Sequence, residues 1–109
     1  MSVEDSVRGT VPMSRATLSS VVTINPDVTF RELDGEIVIL NLETGIYFGL
    51  DAVGARTWRL IEDHGSLGVV FEALRSEYDA VPSVLERDLL ELVDHLCAKG
   101  LTRVAAKST

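Results

Sequence analysis

The stretch Val28-Thr-Phe-Arg-Glu-Leu-Asp-Gly-Glu-Ile-Val-Ile-Leu-Asn-Leu-Glu-Thr-Gly-Ile-Tyr-Phe-Gly-Leu50 decides the fold. Val28 to Leu33 alternates in polarity and runs into Asp34-Gly35, a pair whose backbone suits the primed turns of two-residue hairpins. Glu36 to Leu42 is the most β-prone segment, with Val38, Leu40 and Leu42 on one face and Ile37 and Ile39 on the other. Glu43-Thr44-Gly45 supplies a second turn, and Ile46 to Leu50 forms a short third strand. Short connections between sequential strands predict an antiparallel meander with the middle segment at its centre. The first and third strands are then edges.

Upstream, Val21 to Ile24 reads as a further short strand, ended by the turn pair Asn25-Pro26. Residues 1–20 carry no sustained period and read as a mobile arm, with Met13 as an internal start the sequence alone does not confirm. The domain proper is expected over 21–104, followed by a tail at 105–109. After Leu50 the apolar period changes from two to about 3.6. Asp51 is a suitable N-cap for a helix from Ala52 to Asp63, with Gly65 just past its end. Ser66 caps a second helix to Tyr78 through Leu67, Val70, Phe71 and Leu74. Pro82 and Ser83 open a third, with Ser83 and Glu86 as a capping box and Gly100 as its terminator. The fold class is α+β, a three-stranded antiparallel sheet followed by three helices.

At 109 residues the chain has room for one core, and its 46 % hydrophobic and 25 % charged residues are ordinary for a soluble domain. The run Ile37 to Leu40 is far shorter than the ~20 residues of a membrane span, and no signal-like stretch opens the chain, so a cytoplasmic location is expected. Cys97 is the single cysteine and has no internal disulfide partner. The net charge is −7, and residues 21–104 hold fifteen acidic against seven basic side chains. Such a surface repels phosphate backbones, so nucleic acid is not an expected partner.

No catalytic constellation assembles. His64 beside Gly65 reads as a solvated residue at a helix C-terminus. His95 and Cys97 stand two apart on a helix and face different directions, and nothing supplies further ligands, so no metal is expected. Nothing near Cys97 activates a thiolate, and it reads as a structural cysteine. Trp58 reads as packing the first helix onto the sheet. Gly35, Gly45 and Gly49 make no phosphate loop, and no cofactor is implied. The third helix is more informative. At 100° per residue Leu92, Leu85, Leu96, Leu89, Val93, Cys97 and Leu90 sweep an arc of roughly 160°, wider than the ~100° a core stripe needs. Either two neighbouring elements bury that width, or the shoulder Leu90-Val93-Cys97, with Asp94 beside it, lines a groove for a partner.

The third strand is an edge with a glycine at 49, flanked by Ile46, Tyr47, Phe48 and Leu50. Such an edge accepts an extended peptide as an added strand; the alternative is a protected edge with Tyr47 part-exposed.

The string from Gly35 to Trp58 resembles the PqqD-like family, the peptide-recognition elements of pathways that modify ribosomally made peptides. The matching pieces are Leu40-Asn41-Leu42, Thr44-Gly45, the aromatic pair Tyr47-Phe48, Leu50-Asp51, Gly54-Ala55 and Trp58; weaker similarity continues to Val104 and omits residues 1–20. The resemblance implies a winged-helix-like module that binds the leader segment of a precursor peptide and presents it to an enzyme. The leader is expected antiparallel on the third strand, with Ile46, Tyr47, Phe48, Gly49 and Leu50 giving backbone bonds and Arg87, Leu90, Glu91, Val93 and Asp94 meeting its side chains. The nearest subgroup is the stand-alone leader-binding proteins of lasso-peptide pathways, whose partner is a leader protease; radical-SAM modifying enzymes use similar modules. Pairing of two copies through the arm stays open. The competing readings are a winged-helix DNA-binding regulator and a self-associating structural subunit.

Overall fold

The computed structural model describes residues 16–105. Among them the order is β1 (Val22–Ile24), β2 (Val28–Leu33), β3 (Glu36–Asn41), β4 (Tyr47–Leu50), α1 (Ala52–His64), α2 (Leu67–Glu77), α3 (Pro82–Ala98) and β5 (Thr102–Val104). β2, β3 and β4 form the expected antiparallel meander with β3 central. The turn between β2 and β3 places Asp34 and Gly35 at φ 54° and 82°, the two positive values a type I′ turn requires. On β3, Ile37 and Ile39 are fully buried while Val38 on the opposite face is exposed.

β5 has no counterpart in the sequence reading. It pairs with β1 in a second, two-stranded antiparallel sheet. Three residues give too short a period to mark a strand, and the pairing spans almost the whole domain. The helix ends follow the expected punctuation with two corrections. Asp51 caps α1, its side chain accepting from the Gly54 N–H at 2.9 Å, and Gly65 ends the helix at φ 75°. Ser66 stands at the N-cap of α2 but makes no side-chain cap bond. The Ser83–Glu86 capping box does not form either: the N-cap of α3 is Val81, Pro82 occupies the first turn, and Ser83 already lies inside the helix. Proline presets φ there and lacks an N–H that would otherwise go unbonded.

Two apolar clusters make up the core. The first joins Val22 of β1 to Leu60 and Ile61 of α1, Val70, Phe71 and Leu74 of α2, and Leu85, Leu89 and Val93 of α3. The second lies under the three-stranded sheet and joins Ile37, Ile39 and Leu50 to Ala55 and Trp58 of α1, Leu96 of α3 and Leu101. Trp58 is fully buried and meets Phe30 edge-on, with ring centres 5.5 Å apart. Its indole N–H finds no acceptor among the described residues.

The width of the apolar arc on α3 follows from this arrangement, because the helix contributes to both clusters. Its Leu90–Val93–Cys97 shoulder is occupied from within: Val93 is fully buried, and Leu90 and Cys97 pack against the first cluster. Part of the segment read as an arm belongs to that packing. Ala16 is buried in the first cluster and its N–H donates to Asp94 Oδ1 at 3.1 Å; the Leu67 N–H donates to the Ser20 carbonyl at 3.0 Å. Residues 1–15 and 106–109 lie outside the described residues, and with them most of the expected arm and tail.

Candidate functional site: an open strand edge beside the third helix

The three-stranded sheet ends on β4, and its register decides which backbone groups that strand offers. Asn41 stands opposite Ile46, and the Asn41 N–H donates to the Ile46 carbonyl at 2.9 Å. Residues that exchange hydrogen bonds recur every second position in an antiparallel ladder. The exchanging pairs are therefore Ile39–Phe48 and Ile37–Leu50, within the observed register; at Asn41–Ile46 only the one bond forms, since the Asn41 carbonyl accepts from Gly45. Tyr47 and Gly49, opposite Leu40 and Val38, direct their N–H and C=O away from β3. Four backbone groups on two residues face the open edge.

Side chains alternate with the same period. Phe48 and Leu50 turn inward onto the second cluster, Phe48 half-buried and Leu50 5 % exposed. Tyr47 is 68 % exposed, on the opposite face, and nothing lies within 4 Å of where a Cβ on Gly49 would be. An added strand could approach this edge closely. Ile46 precedes the strand and is 41 % exposed. From α3, the half-buried Leu92 packs against the same cluster as Phe48, with the buried Leu96 one turn further on. Phe48 on β4 and Leu92 on α3 are thus both partly exposed apolar side chains resting on one cluster.

The structure brings Ile46 to Leu50 together at this edge. It distributes the expected α3 contacts differently. Val93 is buried in the first cluster, Leu90 packs against that cluster, and Asp94 holds the Ala16 N–H, all on the flank away from the sheet cluster. Arg87 and Glu91 are exposed, and Arg87 Nε lies 3.6 Å from Asp88 Oδ1. The α3 residue that shares a cluster with Phe48 is Leu92, at the other end of the apolar arc. Either end fits the helical period; the roll of α3 is set by burying Leu96 under the sheet and Val93 against α2. No sequence signal states that roll.

Cys97 shares an Oγ1–Sγ contact of 3.3 Å with Thr102, and burial pushes its thiol pKa up, the opposite of an activated nucleophile. Among the described residues no group of three or more His, Cys, Asp or Glu is placed to hold a metal, and no helix is long and apolar enough to cross a membrane. The outward face of the sheet is a second apolar surface, with Leu33, Val38 and Tyr47 exposed around a depression of about 390 Å³. It offers side chains but no open backbone groups.

The family described as coenzyme PQQ synthesis protein D (PqqD) matches over residues 36–101, from the start of β3 to the end of α3. The chain belongs to the PqqD family. Among solved structures it is similar to TbiB1 in complex with the TbiA(β) leader peptide. That match has 36 % identity and a TM-score of 0.71, and covers 80 % of this chain and 99 % of the other. It is also similar to a lasso peptide synthetase B1 complexed with the leader peptide, at 27 % identity and a TM-score of 0.68, covering 74 % and 95 %. No curated protein sequence matches the chain. The match begins at β3, and β1, β2 and β5 lie outside the matched segment.

Proposed function

We propose that this PqqD-family chain is a non-catalytic adaptor that binds the leader segment of a ribosomal precursor peptide and presents it to a leader-cleaving or other modifying enzyme in lasso-peptide biosynthesis, in the cytoplasm. The observation that carries this reading is the outward pair Tyr47 and Gly49 on the edge of β4 that no described strand covers, with the part-exposed Phe48 and Leu92 resting on one apolar cluster. Its support from outside the chain is that both similar structures are leader-peptide complexes. The leader adds to β4 antiparallel and exchanges hydrogen bonds with Tyr47 and Gly49. Its inward side chains enter between Phe48 and Leu92. Asp88 and His95, four before and three after Leu92 and both exposed, border that groove on α3; Arg87 and Glu91 lie further round, and Leu90, Val93 and Asp94 face the other way.

The magnitudes suit an adaptor. Four hydrogen bonds at ~0.5–1.5 kcal/mol net give about 2–6 kcal/mol, and two apolar anchors add ~1.5–3 kcal/mol apiece. After ordering and association costs this corresponds to affinities from micromolar to tens of nanomolar. The backbone contribution is blind to sequence, so specificity resides in the groove walls.

The test is a backbone-amide chemical-shift titration, first with the TbiA(β) leader and then with leaders of precursors encoded beside the gene. Shifts concentrated on Ile46–Leu50 and on α3 around Leu92 are expected. A flat response to every leader in a folded sample would sink the reading and favour self-association. A DNA-binding role fares worse at the outset: Asp88 and Glu91 are exposed on α3, and such a helix repels phosphates.

A further inference from the structure

Two buried asparagines converge on one carbonyl. Asn25 Nδ2 donates to the Gly100 oxygen at 2.8 Å, and Asn41 Nδ2 donates to the same oxygen at 3.3 Å. Each side chain also closes its own turn. Asn25 Oδ1 accepts from the Asp27 N–H at 2.9 Å; Asn41 Oδ1 accepts from the Glu43 and Thr44 N–H groups at 2.9 and 3.2 Å. Both asparagines are buried, at 7 % and 1 % exposure, so a lost partner is not replaced by water. Gly100 sits at φ 73°, and a Cβ there would lie 3.1 Å from Asn41 Nδ2. Glycine is what allows the amide to come so near.

The two asparagines do the same chemistry on different elements. Asn25 fastens the β1–β2 turn, which is part of neither β4 nor α3. Asn41 fastens the β3–β4 turn, which opens β4, to the carbonyl just past the end of α3. Those are the two elements that the peptide-binding reading places on either side of its groove. We propose, resting on the peptide-binding reading of that groove, that Asn41 is a positioning residue for the bound peptide. Its amide sets the spacing between β4 and α3 at the end from which an antiparallel peptide leaves. Asn41 touches no peptide atom; it acts through the turn and the helix end.

The paired variants Asn25→Asp and Asn41→Asp separate this from a merely structural role. Each keeps the oxygen that closes its turn and deletes one donor to Gly100. If the bonds matter for folding alone, peptide affinity tracks stability, and Asn25→Asp, which loses the shorter bond, is worse in both. The expectation is a crossed pattern. Asn25→Asp lowers the melting temperature more and changes the Kd for the TbiA(β) leader less than twofold; Asn41→Asp raises that Kd about three- to tenfold. Without peptide, the Leu92 methyl and Phe48 ring resonances move in Asn41→Asp and stay in place in Asn25→Asp. Affinities that follow melting temperatures, or groove resonances that respond equally to both variants, overturn the proposal. A wild-type chain that ignores the peptide counts against the leader reading alone, and the peptide-free resonances then decide for Asn41.

Discussion

Replacing Gly49 by proline separates folding from peptide binding. The ladder between β3 and β4 uses Ile46, Phe48 and Leu50, so the Gly49 N–H contributes nothing to it. Proline removes only that outward N–H, and the position has open space where a Cβ would stand. Edge strands tolerate proline on the solvent side, and Phe48 before it is already extended. The expected loss of stability is below ~1 kcal/mol. Binding is another matter. The variant lacks one of four edge groups, and its ring occupies the path of the incoming strand beside a second. Losing two hydrogen bonds costs about 1–3 kcal/mol, or 5- to 150-fold in Kd, before any displacement of the peptide. The assay is thermal unfolding by circular dichroism together with titration calorimetry against a leader that binds the wild type. Phe48→Pro is the control, because it removes a ladder donor and an apolar side chain together and is expected to unfold the sheet. A folded Gly49→Pro chain with wild-type affinity refutes both the register argument and strand addition at β4.

Four further outcomes follow from the packing and charges. Leu92→Asp is expected to abolish leader binding in a folded chain. Val93→Ala is expected to leave binding intact while costing ~1.5–3 kcal/mol of stability through its buried cavity; calorimetry and denaturant melts of the two variants check the reversal. Cys97, with its thiol pushed up by burial, is expected to react with iodoacetamide at neutral pH far more slowly than free cysteine and to reach that rate only on unfolding. Glu77 has its pKa lowered by the bidentate hydrogen bonds from Arg56, at 2.9 and 2.8 Å. A depressed carboxyl stabilises the fold above its unfolded pKa and loses that contribution as pH falls through the folded value. Glu77→Gln is therefore expected to flatten the acid limb of the melting-temperature profile slightly, as befits an exposed pair.

The legible parts of this sequence were those with local physical causes. Asp34-Gly35 announces its turn because few residue pairs accept two positive φ values, and Ile37 and Ile39 announce the buried face of β3 by alternation. Asp51 and Gly65 bracket α1 for equally local reasons. The unread parts depend on what lies across the molecule. β5 pairs with β1 from the far end of the domain, and Ala16 is buried in a cluster built by three helices, with its N–H donated to Asp94 on α3. The site divided along the same line. The edge residues Ile46 to Leu50 came from strand order, which short connections dictate. The helix residues expected there, Leu90 and Val93, pack on the first cluster and Leu92 on the second, because Leu90 and Leu92 are equivalent ends of one apolar arc until the sheet is docked.

Tyr47 and Gly49 are the two residues of β4 whose backbone groups face away from β3, and they alternate with Phe48 between them. An extended chain held at two such points is read in a frame, since moving it by one residue exchanges every side chain in the groove for one facing out. A partner peptide on this edge is constrained at alternate positions and free between them. Single-residue insertions within the paired stretch break the frame, and those beyond it only lengthen a tether. A precursor bound as proposed is thereby held by a four-residue strand at one fixed point along its length, and so at a fixed distance from whatever bond an enzyme must reach.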